Sequence, residues 1–253
     1  YLVDNLGDRV YETTSITSAT NAGGVDLVKT SVSLNLSAYA GVSFVENLLL
    51  NSSGSINGVG NALNNVLYAG VGNNVLNGGA GIDTVSYAYG AAGGVGIKVS
   101  LALTTAQVTG GSGSDTLVGI ERLIGSAYAD TLTGNSASNV LTGGGGRDVL
   151  RGNGGNDVFD FNALAEMVTT SATWDVIADF NAGDRIDLST LDANTATSAN
   201  DAFSATFVST FTRAGQLKFA GGVLYGNVDA DSTPEFAIAL TGVSALSPTA
   251  VVL

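Results

Sequence analysis

The chain has 253 residues, of which 35 are glycine, 2 are proline and 45% are hydrophobic. Glycine is about twice as frequent as its usual share of roughly 7%, yet the chain is too apolar for a disordered linker. The formal net charge of −13 disfavours a nucleic-acid partner and favours metal cations. Cysteine and histidine are absent, which excludes disulfides, thiolate metal sites and catalysis by imidazole.

The first segment, residues 1–59, alternates apolar and polar residues, as in FVENLLL, and is predicted to be strand-rich. It begins YLVDNLGDRV, with acidic residues where an export signal would carry basic ones, so we expect no N-terminal signal. We also expect no membrane span, because no apolar run in the chain is long enough.

The middle segment, residues 60–161, is organised by a nine-residue period in two arrays. The first array, residues 60–86, reads GNALNNVLY, AGVGNNVLN and GGAGIDTVS. The second, residues 110–160, starts with GGSGSDTLV and resumes after GIERLI as GSAYADTLT, GNSASNVLT, GGGGRDVLR and GNGGNDVFD. A fixed period of this length is typical of a parallel β-solenoid.

Each nonapeptide is predicted to form one turn and one short strand. Small residues at positions one to four permit a tight turn with positive φ, and the apolar eighth residue points inward. Two nonapeptides complete one coil, so residues 18 apart stack at a strand spacing of roughly 4.8 Å. We therefore expect Asp130 to stack on Asp148, and Asn139 on Asp157.

This stacking creates an electrostatic problem. Two carboxylates repel each other by roughly 4 kcal/mol at 4 Å with an effective dielectric constant near 20. Lysine and arginine number only nine in the whole chain, so a divalent cation is the better counter-ion. Carboxylates together with turn carbonyls form the oxygen-rich ligand set that calcium prefers. A single Gly-x-Asp sequence would indicate only a turn, but the preserved register favours calcium sites.

The repeats resemble those of the hemolysin-type calcium-binding, or RTX, family. The resemblance implies a β-roll in which calcium lies between successive turns. It implies side-chain ligands at the sixth positions, namely Asp83, Asp115, Asp130, Asp148 and Asp157. It implies carbonyl ligands from Gly78, Gly79, Gly81, Gly110, Gly111, Gly113, Gly143, Gly144, Gly146, Gly152 and Gly155.

Some repeats depart from the family pattern. Asn65, Asn74 and Asn139 replace the sixth-position aspartate, so their sites carry less charge and are expected to bind weakly or stay empty. Tyr128 and Ala137 stand where the fourth-position glycine is expected. We expect fewer calcium ions than turns.

The last segment, residues 162–253, is predicted to be a β-rich cap that also carries a secretion signal. WDVIADFNAGDRIDLSTL resembles the segment that closes RTX rolls in secreted proteases, and Asp175 and Asp179 are candidate ligands of a terminal ion. FAIALTGVSALSPTAVVL is similar to the C-terminal signals that RTX proteins present to type I secretion machines. The NVDADSTPE loop fails as an EF-hand because the twelfth position falls on Ile238.

The sequence therefore predicts an all-β protein, a parallel β-roll with calcium-binding turns. Its predicted function is that of a secreted bacterial module that folds on calcium outside the cell and belongs to a larger exported protein. One alternative is an acidic-polysaccharide-binding, adhesion or surface-layer module at the cell surface. The other is the C-terminal part of a secreted hydrolase or epimerase, although this segment contains no catalytic motif.

Overall fold

A computed structural model describes residues 1–5, 8, 10, 23–38, 44–167 and 173–253. It contains two compact units, Tyr1–Ser126 and Ala127–Leu253. The described residues form strands and two short 3-10 turns, and within these ranges no helix is long and apolar enough to cross a membrane.

The strands of the first unit are two to six residues long. They are β1 Leu2–Val3, β2 Leu27–Thr30, β3 Leu34–Asn35, β4 Asn47–Leu50, β5 Gly58–Val59, β6 Val66–Tyr68, β7 Val75–Asn77, β8 Thr84–Ser86, β9 Lys98–Ser100, β10 Gln107–Gly110, β11 Gly113–Val118 and β12 Arg122–Ile124.

The second unit has similar short strands and a longer meander near its end. They are β13 Thr131–Thr133, β14 Val140–Thr142, β15 Val149–Arg151, β16 Val158–Asp160, β17 Asp175–Ile177, β18 Arg185–Asp187, β19 Gln216–Ala220, β20 Val223–Asn227, β21 Phe236–Leu240 and β22 Val251–Val252, with 3-10 turns at Leu164–Glu166 and Pro248–Ala250.

Strands alternate between two parallel sheets, as the nonapeptide period predicts. In the first unit one sheet has the order β1-β2-β4-β6-β8-β12, and the other has β11-β7-β5-β3 with β10 antiparallel to β11. In the second unit one sheet runs β14-β16-β18-β22, and the other runs β13-β15-β17-β21 before ending in the antiparallel strands β20 and β19. The predicted β-roll is confirmed, and the described N-terminal strands continue it upstream.

The register places the eighth-position residues on top of one another inside the roll. Leu132 pairs with Leu150, and Leu141 pairs with Phe159, as the 18-residue spacing predicts. All four side chains are fully buried. Each coil buries little apolar surface by itself, so the core exists only as a continuous stack.

The segment after Phe161 extends the roll as well as capping it. β17 and β18 pair in parallel with β15 and β16, at 27-residue spacing. Ile186 is a fully buried core residue of β18, and Phe180 packs on Phe159 with ring centroids 6.1 Å apart. The last described strand, β22, pairs with β18.

The second array begins differently from the expectation. β10 pairs with β11 in an antiparallel hairpin, so Gly110 to Gly113 form a hairpin end, with φ of +77° and +83° at these two residues. Only the later part of β11 joins the roll, where Leu117 pairs with Leu76. The hairpin exists because residues 87–109, between the two arrays, lie outside the period and return the chain against the strand that follows.

Candidate calcium sites

Sixth-position side chains form a ladder that ties each coil to the one before it. In the first unit, Asp83 Oδ1 accepts a hydrogen bond from the Asn65 NH at 2.7 Å, and Asp115 Oδ1 accepts one from the Asn74 NH at 2.8 Å. The buried NH of the residue just before each of these strands needs an acceptor outside the strand pairing, and the carboxylate accepts its hydrogen bond.

The second unit repeats the same contact along two columns of sixth-position residues. One column consists of Asp130, Asp148 and Asp175, and the other of Asn139, Asp157 and Asp184. Each carboxylate in the later coil accepts the NH of the earlier residue at 2.8 to 2.9 Å. The predicted stacking of Asp130 on Asp148, and of Asn139 on Asp157, is confirmed in these contacts.

The nine-residue period did not predict two members of the ladder, Glu121 and Asp184. Glu121 Oε2 accepts the Asp83 NH at 2.8 Å, and Asp184 Oδ1 accepts the Asp157 NH at 2.9 Å. Each precedes an inward apolar residue by two positions, Leu123 and Ile186, as Asp157 precedes Phe159. An acid two positions before an inward apolar residue could therefore have identified both from the sequence. Their spacing could not, because Glu121 follows Asp83 by 38 residues and Asp184 follows Asp157 by 27.

The second oxygen of the aspartates is the distinctive feature of the site. Among the described residues, the buried side-chain oxygens without a hydrogen-bond partner are Tyr87 Oη and the Oδ2 atoms of Asp83, Asp115, Asp148 and Asp157. A buried carboxylate oxygen without a donor is destabilising by itself, because it has lost water and gained nothing. The Oδ2 atoms of Asp83, Asp148 and Asp157 therefore require a proton or a cation.

The first-position glycine of the repeat lies directly against that oxygen. A Cβ built on Gly78 would collide with Asp83 Oδ2 and with the carbonyl oxygen of Gly119. Cβ atoms on Gly143 and Gly152 would collide in the same way with Asp148 Oδ2 and Asp157 Oδ2. At Gly78, an unpaired carboxylate oxygen and a main-chain carbonyl therefore lie where no side chain fits, and both are oxygens of the kind that calcium prefers.

The remaining predicted glycines shape the turns. Among these predicted glycines, those with positive φ are Gly79, Gly81, Gly110, Gly113, Gly144, Gly146 and Gly155. A Cβ on Gly111 would instead collide with the Val95 carbonyl oxygen. At the second position of the last repeat, Asn153 adopts φ of +68°, a conformation that asparagine tolerates better than most residues. A Cβ on Gly81 would lie 2.6 Å from the Leu63 carbonyl oxygen, so successive turns are closely stacked.

Burial and mutual repulsion raise the pKa values of the ladder carboxyls. Burial raises the pKa of Asp148 to about 8, opposed by the Asp130 NH and reinforced by the charges of Asp175 and Asp130. Burial likewise raises the pKa of Asp175 to about 7, and it also raises the pKa values of Asp83 and Asp157. Ionising these carboxyls in the folded chain therefore costs free energy unless a cation neutralises them.

Asp115 has a different environment. Burial raises its pKa to about 6, opposed first by the hydrogen bond from the Asn74 NH. Burial, together with the charge of Asp115, also raises the pKa of Tyr87. Because the neighbouring glycines form a hairpin end, the turn carbonyls expected from the repeat pattern are arranged differently here.

Asp179 lies outside the ladder. Its two carboxylate oxygens accept the NH groups of Gly152 and Asn153, each at 2.9 Å, and Arg151 Nη1 lies 3.7 Å from Oδ2. It holds the last repeat turn through these contacts. The ligand role predicted for it stays a prediction, whereas Asp175 takes a ladder position.

A separate acidic group lies in the loop between β20 and β21. Asp229, Asp231 and Glu235 have carboxylate oxygens within 4.8 Å of one another. Asp231 Oδ1 accepts the Thr233 NH at 2.7 Å, and Glu235 Oε2 accepts the Val228 NH at 2.6 Å. These carboxylates therefore stabilise their own loop.

The fold and the ladder define a calcium-binding repeat module, and comparison with known families agrees. The family model described as peptidase M10 serralysin C terminal matches residues 80–253. The RTX calcium-binding nonapeptide repeat matches residues 59–86. The chain therefore belongs to the serralysin C-terminal family. No curated protein matches it significantly.

These matches establish the general class of the protein. The RTX nonapeptide family binds calcium, and the two matched modules are non-catalytic. Together they indicate a type I-secreted, extracellular bacterial protein. The repeat resemblance recognised from the sequence is confirmed.

One prediction concerns the first-position glycine. Gly152→Ala should destabilise the folded chain by about 1–3 kcal/mol, because the added Cβ would displace Asp157 Oδ2. Gly154→Ala in the same turn is the matched control, since its Cβ would meet nothing closer than 3.7 Å. Chemical denaturation in calcium measures both variants, and equal losses would contradict the proposed role of Gly152.

A second prediction concerns pH. A raised pKa means that the folded state holds its proton more tightly than the unfolded chain, where aspartate has its ordinary value of 3.8. The stability due to these protons is complete below that value and is lost as pH rises through about 6 to about 8. In a calcium chelator, circular dichroism should show more folded chain and a higher thermal midpoint at pH 5 than at pH 8.5. An equal or lower midpoint at pH 5 would contradict the assignment.

Proposed function

We propose that this chain is a calcium-dependent folding and export module of a larger secreted bacterial protein. The observation that carries the proposal is the set of fully buried Oδ2 atoms of Asp83, Asp148 and Asp157, which have no hydrogen-bond partner. Calcium bound by these oxygens and by glycine-turn carbonyls would neutralise the ladder. The ligand set is the one proposed from the repeats, with the additional candidates Glu121 and Asp184.

Calcium affects folding because the ligands are assembled only in the folded state. Each carboxylate lies beside the turn of another coil, so the unfolded chain lacks the site, and binding energy becomes folding energy. Sites of the extracellular type have dissociation constants near 10⁻⁴ to 10⁻³ M. They would be empty at low cytoplasmic calcium, and several together would favour the folded state outside the cell.

The position of the proposed secretion signal supports the same order of events. Within residues 236–253, Phe236 and Ile238 are fully buried and Val251 is 7% exposed. β21 pairs with β17 and β22 pairs with β18, so the segment in which we propose the signal forms part of the roll. A secretion machine would gain access to it only in the unfolded chain, before calcium is available.

Calcium titration followed by far-UV circular dichroism tests the proposal, with magnesium as the control ion. We expect a cooperative gain of β structure with calcium only. Asp148→Ala should require several-fold more calcium, because it removes an unpaired ladder carboxylate. Asp160→Ala, a change to a partly exposed acid in β16, should leave the titration unchanged. A spectrum indifferent to chelation would refute calcium-dependent folding.

Export is tested separately in a bacterium that carries a type I secretion apparatus. The full chain should reach the medium, while a chain lacking residues 236–253 should be retained in the cell. Asp148→Ala should still be exported, because it changes the calcium response and not the signal. Equal amounts of truncated and full chain in the medium would contradict the placement of the signal.

A further inference from the structure

The sixth-position asparagines have their side-chain oxygens paired within the turn, whereas Asp83, Asp148 and Asp157 each have a buried oxygen without a hydrogen-bond partner. Asn65 is 1% exposed, and its Oδ1 accepts the NH of Asn61, the second residue of its own turn, at 2.7 Å. Its Nδ2 donates to the carbonyls of Val45 and Glu46 in the preceding coil, at 3.1 and 3.2 Å. Both ends of the amide are therefore paired, one within the turn and one across coils.

The same arrangement recurs at other asparagine turns. Asn74 Oδ1 accepts the NH of Gly70, again the second residue of the turn, at 3.1 Å, and Nδ2 donates to the Ile56 carbonyl at 2.7 Å. Asn139 Oδ1 accepts the NH of Asn135 at 2.8 Å. The sixth-to-second hydrogen bond is thus shared by the asparagine repeats.

In the aspartate turns, the NH of the second residue goes elsewhere. The Gly79 NH donates to Asn77 Oδ1 at 3.1 Å, and the Asn153 NH donates to Asp179 Oδ2 at 2.9 Å. Asp83 and Asp157 use Oδ1 to accept an NH across coils, and their Oδ2 atoms stay unpaired.

The chemistry of the two side chains explains the difference. An amide carries two N–H donors and can face a main-chain carbonyl directly, whereas an ionised carboxylate has only acceptors. A carboxylate facing carbonyl oxygens therefore needs a cation between them. Asn65 Oδ1 lies over the first-position Gly60 and is paired by the Asn61 NH, whereas Asp83 Oδ2, in the same place over Gly78, has no donor and is left for a cation. The Asn65 Nδ2 makes the contact to the preceding coil that Asp83 makes through Oδ1.

We propose that the side-chain amides of Asn65, Asn74 and Asn139 take the place of calcium in their turns, so that ions bind only at turns with a sixth-position acid. This inference rests on the proposed calcium-binding function and specifies where the ions bind. It confines the calcium requirement of the first array to the coil that begins at Gly78. The asparagine turns hold their coils together with hydrogen bonds alone.

Exchanging the two side chains tests the proposal on the full chain. Native mass spectrometry at saturating calcium counts the bound ions, with magnesium as the control. Asn65→Asp should add at least one calcium ion, because the new carboxylate would face the Val45 and Glu46 carbonyls. Asp83→Asn should remove at least one ion while the calcium-bound far-UV spectrum is retained, because the amide can substitute for the metal.

Asp83→Ala serves as the control for the second exchange. It should lose the same ion and also lose stability, because alanine can neither bind calcium nor bridge the coils. The proposal is overturned if Asn65→Asp leaves the ion count unchanged or fails to fold in calcium, or if Asp83→Asn binds as many ions as the native chain. Complete absence of calcium binding in the native chain would instead refute the function on which the proposal rests.

Discussion

The structure depends on buried aspartate carboxylates, whose hydrogen bonds connect successive coils but whose negative charges destabilise the folded state. In each of Asp83, Asp148 and Asp157, one carboxylate oxygen accepts the NH of the residue stacked on it in the neighbouring coil. The other oxygen is buried beside a glycine without a donor. Because strand pairing fixes the coil spacing, these charges cannot move apart while the roll exists. Under the proposed function, folding is therefore coupled to binding of the cation that neutralises them, and calcium is the ion that the repeat family binds.

Glycine connects this electrostatic constraint to the sequence. First-position glycines such as Gly143 leave room for the carboxylate oxygen, while Gly144 and Gly146 of the same turn adopt the positive φ that it requires. The eighth residue supplies the core, as Leu132 and Leu150 do. One nine-residue unit thus encodes turn, ligand and core contact together, which is why the period is visible in the sequence.

The sequence predicted the coils wherever the period is unbroken, including the stacking of Leu141 on Phe159 and of Asn139 on Asp157. It did not predict the ladder positions of Glu121 and Asp184, because inserted segments separate them from their partners by 38 and 27 residues. Stacking follows strand pairing and not residue counting. The hairpin at Gly110 to Gly113 was missed for a related reason, since Gly-rich sequences permit several kinds of turn and the partner strand selects one.

Crystallography of the calcium-bound chain, with anomalous scattering used to locate the ions, tests the central claim most directly. The account predicts cations about 2.3–2.6 Å from the Oδ2 atoms of Asp83, Asp148 and Asp157, with glycine-turn carbonyls completing the coordination. Water molecules alone beside these oxygens, in an intact roll at neutral pH, would contradict it.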